Sequence, residues 1–386
     1  MDCETVIGSK EKWKNWLVER ALPLWGGAGF DEDIGLYRER LTFDGRPEPV
    51  SELRLMVQAR QIATFCRAAV DGFVANADHA LACLDNVTRL YHRPDGQPGW
   101  IFAIAPGSAV NPLRDLYAHA FILYAHAWAY CAGGDRRLLV AARSIVTDIA
   151  LVFAHDGPGF AATYPATSRL RLQNPHMHLL EALLAMAEVS QDAWYLDHAR
   201  EIVVLALDEL IDRATGTLAE IFDCRWRPAA ENGVVRVEPG HQFEWSWLLF
   251  EYLRLCNDDP REAEIRTAAR RLHHFALAHG FDETREFLVD AISDGGVTLE
   301  SSIRLWPQTE YLRLHAQLRT LRFEGSAVIF ETMAQRILDK FAPADLEGGW
   351  IDRFDDQRKN MVKYMPASSL YHVYGYARLC GDKIQN

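Results

Sequence analysis

The chain lacks any CxxC pair. Its seven cysteines, Cys3, Cys66, Cys83, Cys131, Cys224, Cys256 and Cys380, stand far apart. That scatter excludes a disulfide framework and a zinc cluster, and it points to reduced thiols in a cytoplasmic protein. GxGxxG, Walker A, GxSxG and HExxH sequences are all missing, which removes the common nucleotide, serine-hydrolase and zinc-protease signatures. Basic residues are the scarcer charge: 41 Lys and Arg stand against 53 Asp and Glu, a net of −12. No Lys/Arg cluster offsets that excess, so neither nucleic acid nor an anionic membrane is expected as a partner. No apolar run reaches the roughly 20 residues of a membrane span. The nearest, Leu116 to Ala132, is interrupted by His119 and His126 and flanked by Asp115 and Asp135, and it reads as a helix buried in a water-soluble protein. The stretch from Met1 to Trp13 is charged where a signal peptide would be apolar. The Asn86-Val87-Thr88 glycosylation match is therefore incidental. With no Pro/Ser-rich linker and no break in composition, residues 1–386 are expected to form a single domain.

What the chain has in abundance is helical periodicity. Ten segments, from Arg54–Val70 to Ala367–Leu379, carry apolar residues at helical spacing. Short polar links such as Gly133-Gly134-Asp135 join them in pairs. Longer links rich in Gly, aromatic and β-branched residues separate the pairs, and Gly349 to Phe354 is expected to add a hairpin strand. Polar residues near the starts of alternate helices, Arg54, Tyr117, His178, His241, Glu310 and His372, are 63, 61, 63, 69 and 62 positions apart. Divided into six, 386 residues give about 64 per unit. Repeated helical hairpins must bury their faces on their neighbours. Closing six of them into a ring buries the inner helices on every side, as the apolar Leu116–Ala132 segment requires. The expected fold is all-α, an (α/α)6 barrel or toroid of six helical hairpins with short β-hairpins in the long loops.

Four segments share a pattern: Asn174-Pro175-His176-Met177-His178, Pro239-Gly240-His241-Gln242-Phe243-Glu244, Trp306-Pro307-Gln308-Thr309-Glu310, and Pro366 through Tyr371-His372. Each places proline at or just before a helix start, where a fixed φ costs no needed N–H, and Asn174 suits an N-cap. Ionisable residues follow within two turns. In a toroid these starts meet at one mouth, where convergent helix dipoles favour a negatively charged intermediate. His241 and Glu244, spaced i,i+3, share a helical face, so the carboxylate is expected to orient the ring. His176 and His178 point about 200° apart and cannot share a metal ion. Asn174 and His178 share a face and are expected to contact the substrate, with His176 behind them. Arg54 is the expected arginine of the site, with Arg60 its rival. No facing pair of acids stands at the helix starts, which argues against glycoside hydrolysis. Two histidines with a supporting glutamate suit proton transfer at a carbon next to a carbonyl.

The segments Asn174 to Ala182, Gly240 to Glu244, Trp306 to Glu310, Gly348-Gly349-Trp350, and Lys363 to Pro366 with Tyr371-His372 together resemble the N-acylglucosamine 2-epimerase superfamily, in order and over most of the chain. The pairing of Asn174 with His178 is similar to the mannose isomerase and cellobiose 2-epimerase branches. Ala367, where the cellobiose enzymes carry a tryptophan, favours the D-mannose isomerase and related aldose–ketose isomerase branch. The resemblance implies an (α/α)6 barrel working on sugars without metal or redox cofactor. It implies that His241 and His372 are the catalytic pair and Glu244 the orienting acid. Arg54, Asn174 and His178 would contact the sugar, with Tyr117, Trp306, Glu310 and, on a nearby loop, Arg236 also at the site. The function so implied is conversion of a free aldose, D-mannose foremost, to its ketose. Sugar 2-epimerisation is the main alternative, and a carbohydrate lyase or hydrolase a lesser one. The expected partner is a small sugar, bound by a monomer or homodimer.

Overall fold

The structure is a computed structural model that describes residues 8–105, 110–320 and 327–380. Cys3, named above, lies outside them. The helices are α1 (Ser9–Trp16), α2 (Leu22–Gly26), α3 (Leu55–Val70), α4 (Asp78–Tyr91), α5 (Leu116–Gly133), α6 (Arg137–Val152), α7 (Gln173–Ser190), α8 (Ala193–Leu205), α9 (Pro239–Leu255), α10 (Glu262–His279), α11 (Leu305–Thr320), α12 (Ala327–Phe341) and α13 (Leu370–Ala377).

Burial separates them into two layers. In α5 every residue from Ala118 to Ala129 is buried. Asp115 caps its start by accepting from the Ala118 N–H, and Gly134 in the left-handed region ends it. In α10 only a stripe, Ile265, Ala268, Ala269, Leu272 and Ala276, is buried. That is the i,i+3,i+4 signature of a helix wet on one side. The inner helices α3, α5, α7, α9, α11 and α13 pack each on the next, and α13 packs back on α3. Among the described residues α4, α6, α8, α10, α12 and α1 form the outer layer, which completes the expected (α/α)6 barrel. No helix among them is long and apolar enough to cross a membrane.

The six hairpins are not six consecutive units. The last is assembled from the two chain ends: α1 packs on α12 and α13, the Trp13 indole N–H donates to the Ala334 carbonyl at 2.8 Å, and its ring meets Tyr376 edge-on at 5.2 Å. Helices α1, α2 and α4 were not among the ten expected. Yet α4 buries Ala80, Cys83, Leu84, Val87 and Tyr91 at helical spacing, a stripe too rich in small residues to stand out. The strand expected at Gly349–Phe354 is Arg353–Phe354, and its partner is Ile303–Arg304, not a neighbouring turn.

That pairing repeats around the ring. A short strand leads into each inner helix and pairs antiparallel with the strand that follows the outer helix of the same hairpin: Leu53–Arg54 with Ala103–Ile104, Arg114–Asp115 with Thr163–Tyr164, Arg171–Leu172 with Ile221–Phe222, and so on to Tyr364–Pro366 with Arg40–Thr42. Four or five residues beyond the strand, a buried side chain grips the backbone of the incoming loop. Gln58 bonds both N and O of Tyr37, Gln242 those of Leu218 and Gln308 those of Leu288. His119 and His176 accept from the Trp100 and Phe160 N–H groups, both at 2.9 Å. These clamps satisfy loop amides that would otherwise be buried unpaired. They also fix the crown on which the site is built.

Candidate active site

The starts of the inner helices surround a cavity of about 390 Å³ whose wall includes Arg60, Tyr117, Asn174, His178, His241, Glu244, Trp306 and His372. A larger hollow of about 1050 Å³ lies between α1, α12 and the loops at Glu286 and Arg358. It is open, carries no histidine and stands apart from the ring of helix starts.

Each catalytic-type histidine is held by a carboxylate, and neither is the one expected from spacing. His241 Nδ1 donates to Glu220 Oε2 at 2.8 Å. Glu220 is fixed in turn by Gln173 Nε2 at 2.9 Å and by the Glu238 N–H at 3.0 Å, and Gln173 accepts from the Trp245 indole at 2.6 Å. His372 Nδ1 donates to Glu310 Oε1 at 2.8 Å. The Trp306 ring lies 4.7 Å from the His241 ring and 5.5 Å from that of His372. His178 sits 3.3 Å from Glu181. Glu181 accepts from Arg313 at 2.9 Å and from the Tyr371 hydroxyl, while Arg313 also reaches Glu310 at 3.4 Å.

The two histidine–glutamate pairs are charged differently. Burial alone would lower His241, but the adjoining Glu220 carboxylate, charged and hydrogen-bonded, raises it above the usual value and is itself held low. This pair is an ion pair. His372 is pushed well below the usual value, first by burial and then by the Arg60 charge. Burial and the Glu181 charge carry its partner Glu310 up to about 7 against the pull of Arg313. This pair is neutral at the ring. His178 is lowered to about 3 by burial.

Several expectations change place. Glu244 does not orient His241; that role belongs to Glu220, whereas Glu244 lies near His178, at 3.9 Å from its Nδ1. Arg54 does not line the cavity: its guanidinium is bound by Glu39 at 2.9 and 2.7 Å. Arg60, its rival, does line it and donates to the Tyr117 hydroxyl and, at 3.1 Å, to the Ser368 carbonyl. His176 is a loop clamp, with Nδ1 on the Leu172 carbonyl at 2.9 Å. Asn174 lies in the first turn of α7, which Leu172 precedes as N-cap. Freed from capping, its Oδ1 has no protein partner. Glu310 stands behind His372, and Arg236 pairs with Glu300 at 2.7 Å and Glu238 at 3.2 Å outside the cavity wall. Sequence reasoning missed Glu220, Glu238, Arg304 and Arg313. Glu181, three residues after His178, could have been found by the same spacing rule that singled out Glu244.

Donor atoms of His178, Glu181 and Glu244, and of Glu244, Glu310 and His372, lie within 4.8 Å of one another. The Arg313 guanidinium bonds two of these donors, Glu181 and Glu310. What the cavity offers chemically is a protonated and a neutral imidazole on one small space, with an arginine and hydrogen-bonding groups around it.

The family model described as N-acylglucosamine 2-epimerase (GlcNAc 2-epimerase) matches residues 35–376. A mannose-6-phosphate isomerase from Rhizobium meliloti (strain 1021) is 33% identical over 372 residues, 93% of each chain. A cellobiose 2-epimerase from Bacteroides fragilis is 24% identical over 316 residues, 76% of this chain and 75% of that one. The crystal structure of a D-mannose isomerase superposes with a TM-score of 0.83 at 18% identity, covering 96% of this chain and 98% of the other. The chain belongs to the N-acylglucosamine 2-epimerase family and is a sugar isomerase or epimerase.

Proposed function

We propose that the enzyme converts a free, uncharged aldose, D-mannose foremost, to its 2-ketose through a cis-enediolate. The observation that carries this reading is the meeting of two histidines on one cavity, each with its Nδ1 on a different carboxylate, Glu220 for His241 and Glu310 for His372. The neutral His372 takes the proton from C2 while the protonated His241 gives one to the carbonyl oxygen O1. His372 then returns its proton to C1, and His241 recovers one from the O2 hydroxyl as the C2 carbonyl forms. Arg60, Asn174 and His178 hold the substrate oxygens, with Tyr117 and Trp306 against the carbon skeleton. A general acid and base placed in this way each contribute typically about 10²–10⁴-fold.

Charge favours an unphosphorylated substrate. The cavity wall holds two arginines, Arg60 and Arg304, against Glu220, Glu238, Glu244 and Asp352. Arg304 is committed to Asp290 at 2.8 Å and Glu238 at 2.9 Å. A dianionic 6-phosphate would find one guanidinium without a carboxylate partner, Arg60, among four acidic side chains, and a like-charge encounter costs several kcal/mol. Mannose should therefore exceed mannose 6-phosphate in kcat/KM by at least about tenfold, the equivalent of about 1.4 kcal/mol. The deciding experiment incubates both sugars in heavy water and identifies the products by NMR. Fructose from mannose, with deuterium entering C1, supports the proposal. Glucose as sole product makes the enzyme a 2-epimerase, and preference for the phosphate ester refutes the uncharged substrate.

The pH profile tests the assignment of roles. Activity should fall as pH drops through about 7, where the His372–Glu310 pair gains a proton, and fall again as pH rises through the elevated His241 value. Glu220→Gln removes the charge that raises His241, so the alkaline limb should move to lower pH while the acid limb stays. An unmoved alkaline limb would show that His241 is not the acid.

A further inference from the structure

Around the floor of the cavity three carboxylates, Glu181, Glu244 and Glu310, are buried together at 3%, 0% and 0% exposure, with two guanidiniums, Arg60 and Arg313. Three negative charges face two positive ones, and neither guanidinium hydrogen-bonds Glu244. Arg313 donates to Glu181 and Glu310, and Arg60 to Tyr117 and Ser368. Glu181 also accepts from Tyr371, and Glu310 from His372. Glu244, on the cavity wall, has no hydrogen-bond partner on either oxygen. The groups facing it are Arg60 from α3, Tyr117 from α5, His178 and Glu181 from α7, Glu310 and Arg313 from α11, and Tyr371 and His372 from α13. The imidazoles among them, His178 and His372, are held neutral by burial. An uncompensated buried carboxylate costs several kcal/mol, and such a group takes up a proton instead.

We propose that Glu244 keeps its proton at neutral pH and serves as a hydrogen-bond donor from the cavity wall to a substrate oxygen, and not as a carboxylate that orients a histidine. The donor role rests on the isomerase reading above; the protonation does not. The proton goes to Glu244 and not to its neighbours because Glu181 and Glu310 each have donors already aimed at them. Burial first, then the Glu310 and Glu181 charges, push the Glu244 carboxyl well above the usual range. A carboxylic acid kept neutral by its surroundings can donate to an oxygen on which negative charge develops, and the enediolate places such charge on O1 and O2. With no protein acceptor in reach, the O–H is directed by default to whatever occupies the cavity.

The test is an infrared difference spectrum at neutral pH between the wild-type protein and Glu244→Gln, each in water and heavy water. The expected result is a protonated-carboxyl C=O band in the wild type, shifted by heavy water and absent from the variant. A carboxylate band in its place overturns the proposal. This measurement needs no turnover, so it stands even if no aldose is converted and the isomerase reading fails. The donor role is read from activity. Glu244→Gln keeps an N–H donor and should lose no more than about tenfold in kcat, whereas Glu244→Leu should lose about 10²-fold or more, the range for one preorganised donor. Equal losses in both variants, or none in Glu244→Leu, overturn the donor role.

Discussion

Replacing His372 or His241 with alanine is expected to lower kcat by at least about 10²-fold, the lower range for a positioned acid or base, or about 2.7 kcal/mol of barrier. Both variants should lose exchange of the C2 proton along with turnover, each for its own reason. His372→Ala removes the group that takes the C2 proton, so exchange of that proton with heavy water should vanish together with product formation. His241→Ala leaves the base in place but removes the proton donor to O1, so exchange should fall with turnover because the enediolate loses its acid. Both rings are only 6–7% exposed yet line an existing cavity, so truncation enlarges a wet space and should leave thermal unfolding little changed. Near-normal turnover in either variant would remove that histidine from the mechanism.

Arg313→Met is expected to be the most destabilising single change at the site, by about 3–5 kcal/mol, the cost of breaking a buried charge pair from one side. Arg313 is 3% exposed, bridges Glu181 and Glu310, and lies over the Trp247 ring at 3.4 Å. Methionine keeps the aliphatic volume and abandons two carboxylates. The loss should grow with pH. With Arg313 gone Glu310, already raised, climbs further and Glu181 loses the largest pull that holds it low, and a carboxyl raised in this way favours the native state at low pH and loses that advantage as pH rises through its native pKa. Denaturant unfolding at acid and alkaline pH measures this directly. Adding Glu310→Gln to Arg313→Met should recover part of the loss, because it removes one of the stranded charges. A uniform deficit at all pH values would show that packing on Trp247, and not charge, is what Arg313 supplies.

The ring was legible because its signals are local or repeated. A hairpin that must bury both sides repeats its polar helix start about every 64 residues, and α5 declares its place by having no polar face at all. The convergence of Asn174, His178, His241, Glu244, Trp306 and His372 followed from the same logic, since residues in the first turns of parallel inner helices reach one mouth whatever the loops do. Local spacing failed where the partner came from elsewhere. Glu244 was assigned to His241 because i,i+3 neighbours share a face, but the carboxylate that holds His241 is Glu220, 21 residues upstream on a loop. Arg60 displaced Arg54 because Glu39, a loop residue 15 positions before Arg54, occupies its guanidinium. Helical phase set His176 behind Asn174 and His178 without saying what it holds. Its role as a clamp became visible only when Gln58, His119, Gln242 and Gln308 were found in equivalent places.

The sequence by itself determined the helical class, the sixfold repeat and the list of side chains that can meet at one end of the barrel, because helical periodicity and proline-marked starts act within a few residues. Only the tertiary structure decided that the chain ends supply the sixth hairpin and that His241 is the charged imidazole and His372 the neutral one. Those outcomes depend on burial and on charged groups far apart in the sequence, as between Arg60 and His372. A side chain's charge is a property of its surroundings, and the fold is what creates them.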